Sequence, residues 1–135
     1  MQGDKGLECI ISLLIEKVEA YVIILFGSYG KGRARDESDM DIAYLGDKEP
    51  GGYDNFLLAQ ELACVAGRDV DLLNLRTAST VMKAQIITGG RVIYCSDEMR
   101  KADFFMKALK EYALLNEERA VVLREIERRG SVYGN

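Results

Sequence analysis

Hydrophobic and polar positions follow two rhythms along this chain, and the changes of rhythm mark out its elements. From Asp4 to Glu19 the apolar residues Leu7, Ile10, Ile11, Leu14, Ile15 and Val18 recur at helical spacing, with Glu8, Glu16, Lys17 and Glu19 outside that face. Tyr21 to Phe26 is a short β-branched apolar run ended by Gly27, the pattern of a buried strand. Gly27 to Ser38 is polar and carries glycines, and Met40 to Leu45 resumes strand-like composition. The only proline, Pro50, falls in the turn-rich stretch Asp47 to Gly52. Tyr53 to Ala66 predicts a helix closed by Gly67, and Asp69 to Leu75 a third strand. Thr77 to Thr88 predicts a helix capped by Thr77 or Ser79 and stopped by Gly89-Gly90. Arg91 to Tyr94 is a short strand. A long helix then starts at Ser96, carries Asp97 and Glu98 in its first turn, and runs to about Arg129 before Gly130, or about 97–129. The order helix, strand, strand, helix, strand, helix, strand, helix is that of an α/β or α+β domain. With no repeat and no linker, 135 residues make one domain, 1–135.

Composition narrows the chemistry. Hydrophobic residues at 48% and charged residues at 30% argue against a disordered chain. The longest apolar stretch, Ala20 to Phe26, is far short of the roughly 20 residues that a membrane span needs. Asp4 and Glu8 with a lone Lys5 are not the start of a secretory signal. Cys9, Cys64 and Cys95 are odd in number and lack paired spacing, which points to reduced thiols and a cytoplasmic setting. There is no histidine, which removes imidazole bases, Ser-His-Asp and Cys-His hydrolysis, and His-containing zinc sites. The net charge of −4 gives non-specific nucleic-acid binding no overall support, so no direct nucleic-acid binding is expected. Any chemistry must rest on carboxylates, backbone amides, hydroxyls and basic side chains.

One segment supplies such a set. Gly27-Ser28 follows the first apolar strand, and after ten further residues Asp39-Met40-Asp41 opens the next. Residues i and i+2 of a strand share a face, so Asp39 and Asp41 converge and repel unless a cation lies between them. Hard oxygen donors of this kind suit Mg²⁺, which takes one or two carboxylates together with substrate phosphates. Gly27 permits close backbone approach, and Ser28 with the amides after it is placed to begin a helix and cradle a phosphate. Lys31, Arg33 and Arg35 either contact phosphate or form a solvated basic loop. Alone, a Gly-Ser pair marks a turn and Asp-x-Asp a solvated strand end. Their joint occurrence, each flanked by an apolar strand, points to a metal–triphosphate site.

Gly-Ser, ten residues, Asp-x-Asp resembles the signature of the minimal nucleotidyltransferases of the DNA polymerase beta superfamily, with Ser38 and Ile42 also typical. The resemblance implies a nucleotidyltransferase fold: a small mixed sheet flanked by helices, here with a long C-terminal helix. It also implies a third carboxylate from a later strand. Asp71, followed by Leu72-Leu73, fits that place; Asp69, two residues earlier, is the competing choice, with a strand-edge charge as its plainer reading. Gly90 to Tyr94, Asp97, Asp103 to Phe105, Lys110 to Tyr112 and Gly130 to Tyr133 extend the likeness to MntA-type antitoxins of HEPN/MNT toxin–antitoxin pairs.

That resemblance implies an antitoxin that is a protein adenylyltransferase, moving AMP from ATP to tyrosine of a HEPN ribonuclease toxin and silencing it. Asp39, Asp41 and Asp71 would be the catalytic and Mg²⁺-binding residues, Asp71 also taking the proton of the attacking hydroxyl. Gly27 and Ser28 would bind the nucleotide. The alternatives are a non-catalytic antitoxin acting by binding and a small-molecule nucleotidyltransferase; the latter usually carries a larger acceptor domain. The long helix has a broad apolar stripe: Phe105, Leu109, Tyr112, Leu115 and Val122, joined by Phe104, Ala108, Val121, Leu123 and Ile126. At about 33 residues it would span roughly 50 Å, more than a domain of this size covers easily. The part around Phe104 to Tyr112 is expected in the core, and the last third against a partner chain.

Overall fold

The computed structural model describes residues 2–27 and 39–133. Helix α1 (Gln2–Val18) leads into strand β1 (Ala20–Phe26), and β2 (Met40–Gly46) returns antiparallel beside it. Helix α2 (Gly52–Ala66) is followed by β3 (Val70–Asn74), a 3₁₀ turn at Leu75–Thr77 and helix α3 (Thr80–Gly89). Strand β4 (Arg91–Cys95) and helix α4 (Glu98–Tyr133) complete the chain. The sheet order is β3-β2-β1-β4, with β2 and β3 parallel and the other pairings antiparallel, so the sheet is mixed as expected.

Strand alternation sorts the apolar side chains into two layers. Ile23, Leu25, Ile42, Tyr44 and Val70 face α1 and α2, where Ile10, Leu14, Leu58 and Leu62 close the layer. Val22, Ile24, Ala43 and Leu45 face the other way, onto Leu75, Ile86 of α3, and Phe104 and Phe105 of α4. A register irregularity between Ala20 and Val22 lets Ala20 and Ile23 share the first layer although they are an odd number of residues apart. The topology also gathers chain ends. β1 finishes at the same sheet edge where β2, β3 and β4 begin: Phe26 pairs with Asp41, Asp41 with Asp71, and Leu25 with Arg91.

The sequence-based elements are all present, and their ends differ for local reasons. Gly67 closes α2 in the left-handed region at φ 72°, its N–H bonded to the Ala63 carbonyl. β3 stops at Asn74, not Leu75, because the Asn74 side chain accepts from Arg76 N and draws Leu75–Thr77 into the 3₁₀ turn. That turn delays α3, whose cap is Ser79, accepting from Met82 N. Asp97, not Ser96, caps α4 by accepting from Arg100 N. The helix runs through Gly130 to Tyr133, since one glycine costs only about 1 kcal/mol in a helix of 36 residues. At 1.5 Å per residue α4 is about 54 Å long. Phe104 and Phe105 pack on the second layer and Ala108 is buried, whereas Leu114, Val121, Val122, Leu123 and Ile126 are exposed, Ile126 at 57%.

Candidate active site

The edge where β1 ends and β2 and β3 begin carries the aspartates. Parallel register sets Asp41 beside Asp71. Ala43 and Leu73, two residues further along each strand, pack into the second layer, so both carboxylates stand on the face that α3 and α4 cover. Asp39 immediately precedes β2 and is exposed. Partial burial raises the proton affinity of Asp41 first; the Asp71 charge, a hydrogen bond with Asp71 and the Asp39 charge raise it further. Asp69 precedes β3, exposed, and its backbone carbonyl accepts from Met40 N at 2.9 Å. Its backbone thus pins β2 to β3, while among the described residues the carboxylates acting on Asp41 are Asp71 and Asp39.

Gly27 closes the site from the β1 side. Its φ is +65°, where a side chain is strained, and a Cβ added there would collide with Asp41 Oδ2 and lie 3.3 Å from its Cγ. Only glycine lets the backbone lie directly on this carboxylate. Ser28, Tyr29, Lys31, Arg33 and Arg35 lie outside the described residues.

A buried clip supports the edge from behind. Tyr44, fully buried on β2, donates its hydroxyl to Asn55 Oδ1 at 2.8 Å, and Asn55 Nδ2 donates to the Leu72 carbonyl at 2.9 Å. Burial pushes the Tyr44 hydroxyl up to about 12, so it stays a neutral donor. One side chain of α2 thereby ties β2 to β3 at the residue after Asp71. No sequence signal marked Asn55, which reads there as an ordinary first-turn residue of a helix. Also missed was a cavity of about 570 Å³ beside Asp41 and Gly27, walled by Met82, Gln85, Thr88 and Gly89 of α3.

The donors at this edge are all oxygen and all of one charge, and among the described residues no cationic side chain offsets their repulsion at Asp41. That chemistry fits a hard divalent cation. Among the described residues no three such side chains are gathered closely enough to hold a metal at once. The fit therefore rests on the adjacent pair Asp41 and Asp71, with Asp39 next to them.

The small mixed sheet thus carries Gly27 packed on one aspartate and a second aspartate in register beside it, an arrangement suited to metal-assisted chemistry on a phosphate. Residues 8–99 match the family described as Polymerase beta, Nucleotidyltransferase, and the chain belongs to that family. It is 35% identical over 118 residues to the protein adenylyltransferase MntA of Shewanella oneidensis, covering 87% of this chain and 84% of that protein. In three dimensions it is similar to a toxin–antitoxin crystal structure with AMP-PNP, at TM-score 0.79 and 34% identity over 89% of this chain and 97% of that one. It is also similar to a structure of tri-AMPylated Shewanella oneidensis HEPN toxin in complex with MNT antitoxin, at TM-score 0.75 and 32% identity over 94% of this chain and 99% of that one. Among the described residues no helix is long and apolar enough to cross a membrane.

Proposed function

We propose that this protein is the antitoxin of a HEPN/MNT pair and transfers AMP from ATP to tyrosine of its cognate HEPN ribonuclease toxin, neutralising it. The observation that carries the reading is the in-register pair Asp41 and Asp71 with Gly27 packed against it, in a chain similar almost end to end to an adenylyltransferase. In the reaction the tyrosine oxygen attacks the α-phosphorus of ATP. A new P–O bond forms to the tyrosine, the bond between the α-phosphorus and the bridging oxygen breaks, and pyrophosphate leaves with that oxygen.

Each residue has a task. Gly27 and Ser28 hold the β- and γ-phosphates through backbone amides and the hydroxyl. Asp71 accepts the proton of the attacking hydroxyl, a task that falls to a carboxylate in a chain without histidine. Asp41, with Asp39 next to it, would hold a cation on the triphosphate side. Held at Asp41 and Asp71 with Asp39 next to them, Mg²⁺ would supply the charge that offsets the triphosphate and the departing pyrophosphate. The Asn55 clip keeps β3, and with it Asp71, at the correct height beside Asp41.

The exposed apolar side chains of the second half of α4 are the surface on which the toxin docks. The reaction belongs in the cytoplasm, a setting supported by free thiols at Cys9, Cys64 and Cys95, the first two exposed. The test is incubation of purified toxin with this protein, ATP and Mg²⁺, followed by intact mass and peptide mapping. A gain of one or more AMP on tyrosine with loss of ribonuclease activity is expected. Loss of ribonuclease activity with no mass gain would show an antitoxin that acts by binding alone.

A further inference from the structure

The 570 Å³ cavity extends from Gly27 and Asp41 to helix α3, and its α3 wall is chemically unlike a triphosphate site. Among the described residues that line the cavity, Asp41 is the only ionisable one and none is lysine or arginine. Its α3 wall ends at Thr88 and Gly89, where the helix presents its carbonyl end and a partial negative charge. Phosphates are disfavoured at that carbonyl end, so away from Asp41 and Gly27 the α3 wall suits a neutral part of a bound molecule. The cavity's volume is within the range of small-molecule sites. It adjoins Gly27, so a nucleotide whose phosphates lie at Gly27 reaches it with its other end.

Met82, Gln85 and Gly89 stand three and four residues apart on α3 and so form one stripe along the wall. Thr88 spends its hydroxyl on the Ala84 carbonyl at 2.7 Å. Gln85 is exposed, and among the described residues no hydrogen bond engages its amide. Met82, 40% exposed, offers a polarisable flat contact next to it. We infer that this wall receives the base of the nucleotide and that Gln85 is the residue that selects adenine over guanine. A glutamine amide pairs with both N6–H and N7 of adenine, whereas guanine presents two acceptors, O6 and N7, along the same edge. With guanine the Gln85 amide oxygen is left opposed to O6. The inference rests on the AMP-transfer reading for the placing of the phosphates, and it adds how the base is chosen.

The experiment compares ATP and GTP, each with Mg²⁺, for the wild type, Gln85→Ala and Gln85→Arg. It measures direct binding to the isolated protein and nucleotide transfer to the toxin in the complex. Gln85 is exposed on its helix, so both variants should fold, and unfolding curves check this. Gln85→Ala should shrink the preference for ATP by about tenfold, and Gln85→Arg, whose fork pairs with O6 and N7, should turn it toward GTP. An unchanged ATP-to-GTP ratio in both variants overturns the inference. So does a rise in KM for the toxin alone, which would make the cavity the seat of the acceptor tyrosine. If the wild type binds ATP but transfers nothing, the AMP-transfer reading fails, and the binding ratios still decide the role of Gln85.

Discussion

Gly27→Ala is the smallest change that tests the packing of the site. At φ +65° a non-glycine residue costs about 1 kcal/mol relative to glycine. For a domain of this length that lowers Tm by about 3–5 °C. The larger effect falls on Asp41. A Cβ at this position collides with Oδ2 and lies 3.3 Å from Cγ, so the carboxylate must retreat by about 1 Å to regain van der Waals separation. It has little room, because Asp71 occupies the other side in register. A displacement of about 1 Å at a reacting centre costs on the order of 100-fold in rate. The assay is initial-rate transfer of labelled AMP to the toxin, with thermal unfolding on the same preparation. Gly27→Ala should give a folded protein, slightly less stable, with kcat/KM about 100-fold lower. Wild-type transfer by a folded Gly27→Ala protein would refute this.

Three other substitutions probe separate parts of the account. The proton affinity of Asp41 is raised above its ordinary value of 3.8, so as pH climbs the unfolded chain releases this proton first and stability falls through that window. Asp41→Asn should remove the fall, leaving the metal-free protein more stable than wild type at neutral pH; urea unfolding in chelator across pH 4–7 checks it, and equal slopes would contradict it. Asp71→Asn should cut turnover by about 100-fold or more with ATP affinity little changed, while Asp69→Asn stays close to wild type; single-turnover kinetics with an ATP titration would expose the reverse ranking. Ile126→Glu should leave the isolated protein within about 0.5 kcal/mol of wild type, because the side chain is 57% exposed. The same change puts a charge into a dry interface and should abolish co-purification with the toxin, whereas a fall in Tm of the isolated protein would return the stripe to the core.

Legibility in the sequence followed the range over which each feature is encoded. Ile10, Leu14 and Val18 announce their helix by spacing alone, and Val22 to Leu25 their strand by an unbroken apolar run. Gly67 announces its cap because few residues accept a left-handed φ. The Gly27 and Asp41 ends of the motif could be read because the antiparallel pairing of β1 and β2 returns the chain to the same sheet edge within fifteen residues. Asp71 against Asp69 could not be decided by spacing, since both alternate to one face of a continuous strand. The register Asp41–Asp71 sets one of them beside Asp41, and Asp69 falls before β3 begins. Asn55 and Gln85 were silent because their meaning comes from what packs across from them: the Leu72 carbonyl for one, the open wall beside Asp41 for the other. The division of α4 into a packed and an exposed half was legible, because a helix of about 54 Å outruns the layer it covers.

Whether this edge of carboxylates moves AMP onto the toxin is decided by transfer from α-labelled ATP with Asp39→Asn and Asp41→Asn. Label should appear on toxin tyrosine with the wild type and Mg²⁺ and with neither variant, while both variants stay folded and still co-purify with the toxin. Label transfer at the wild-type rate by either variant would contradict that role for the carboxylates.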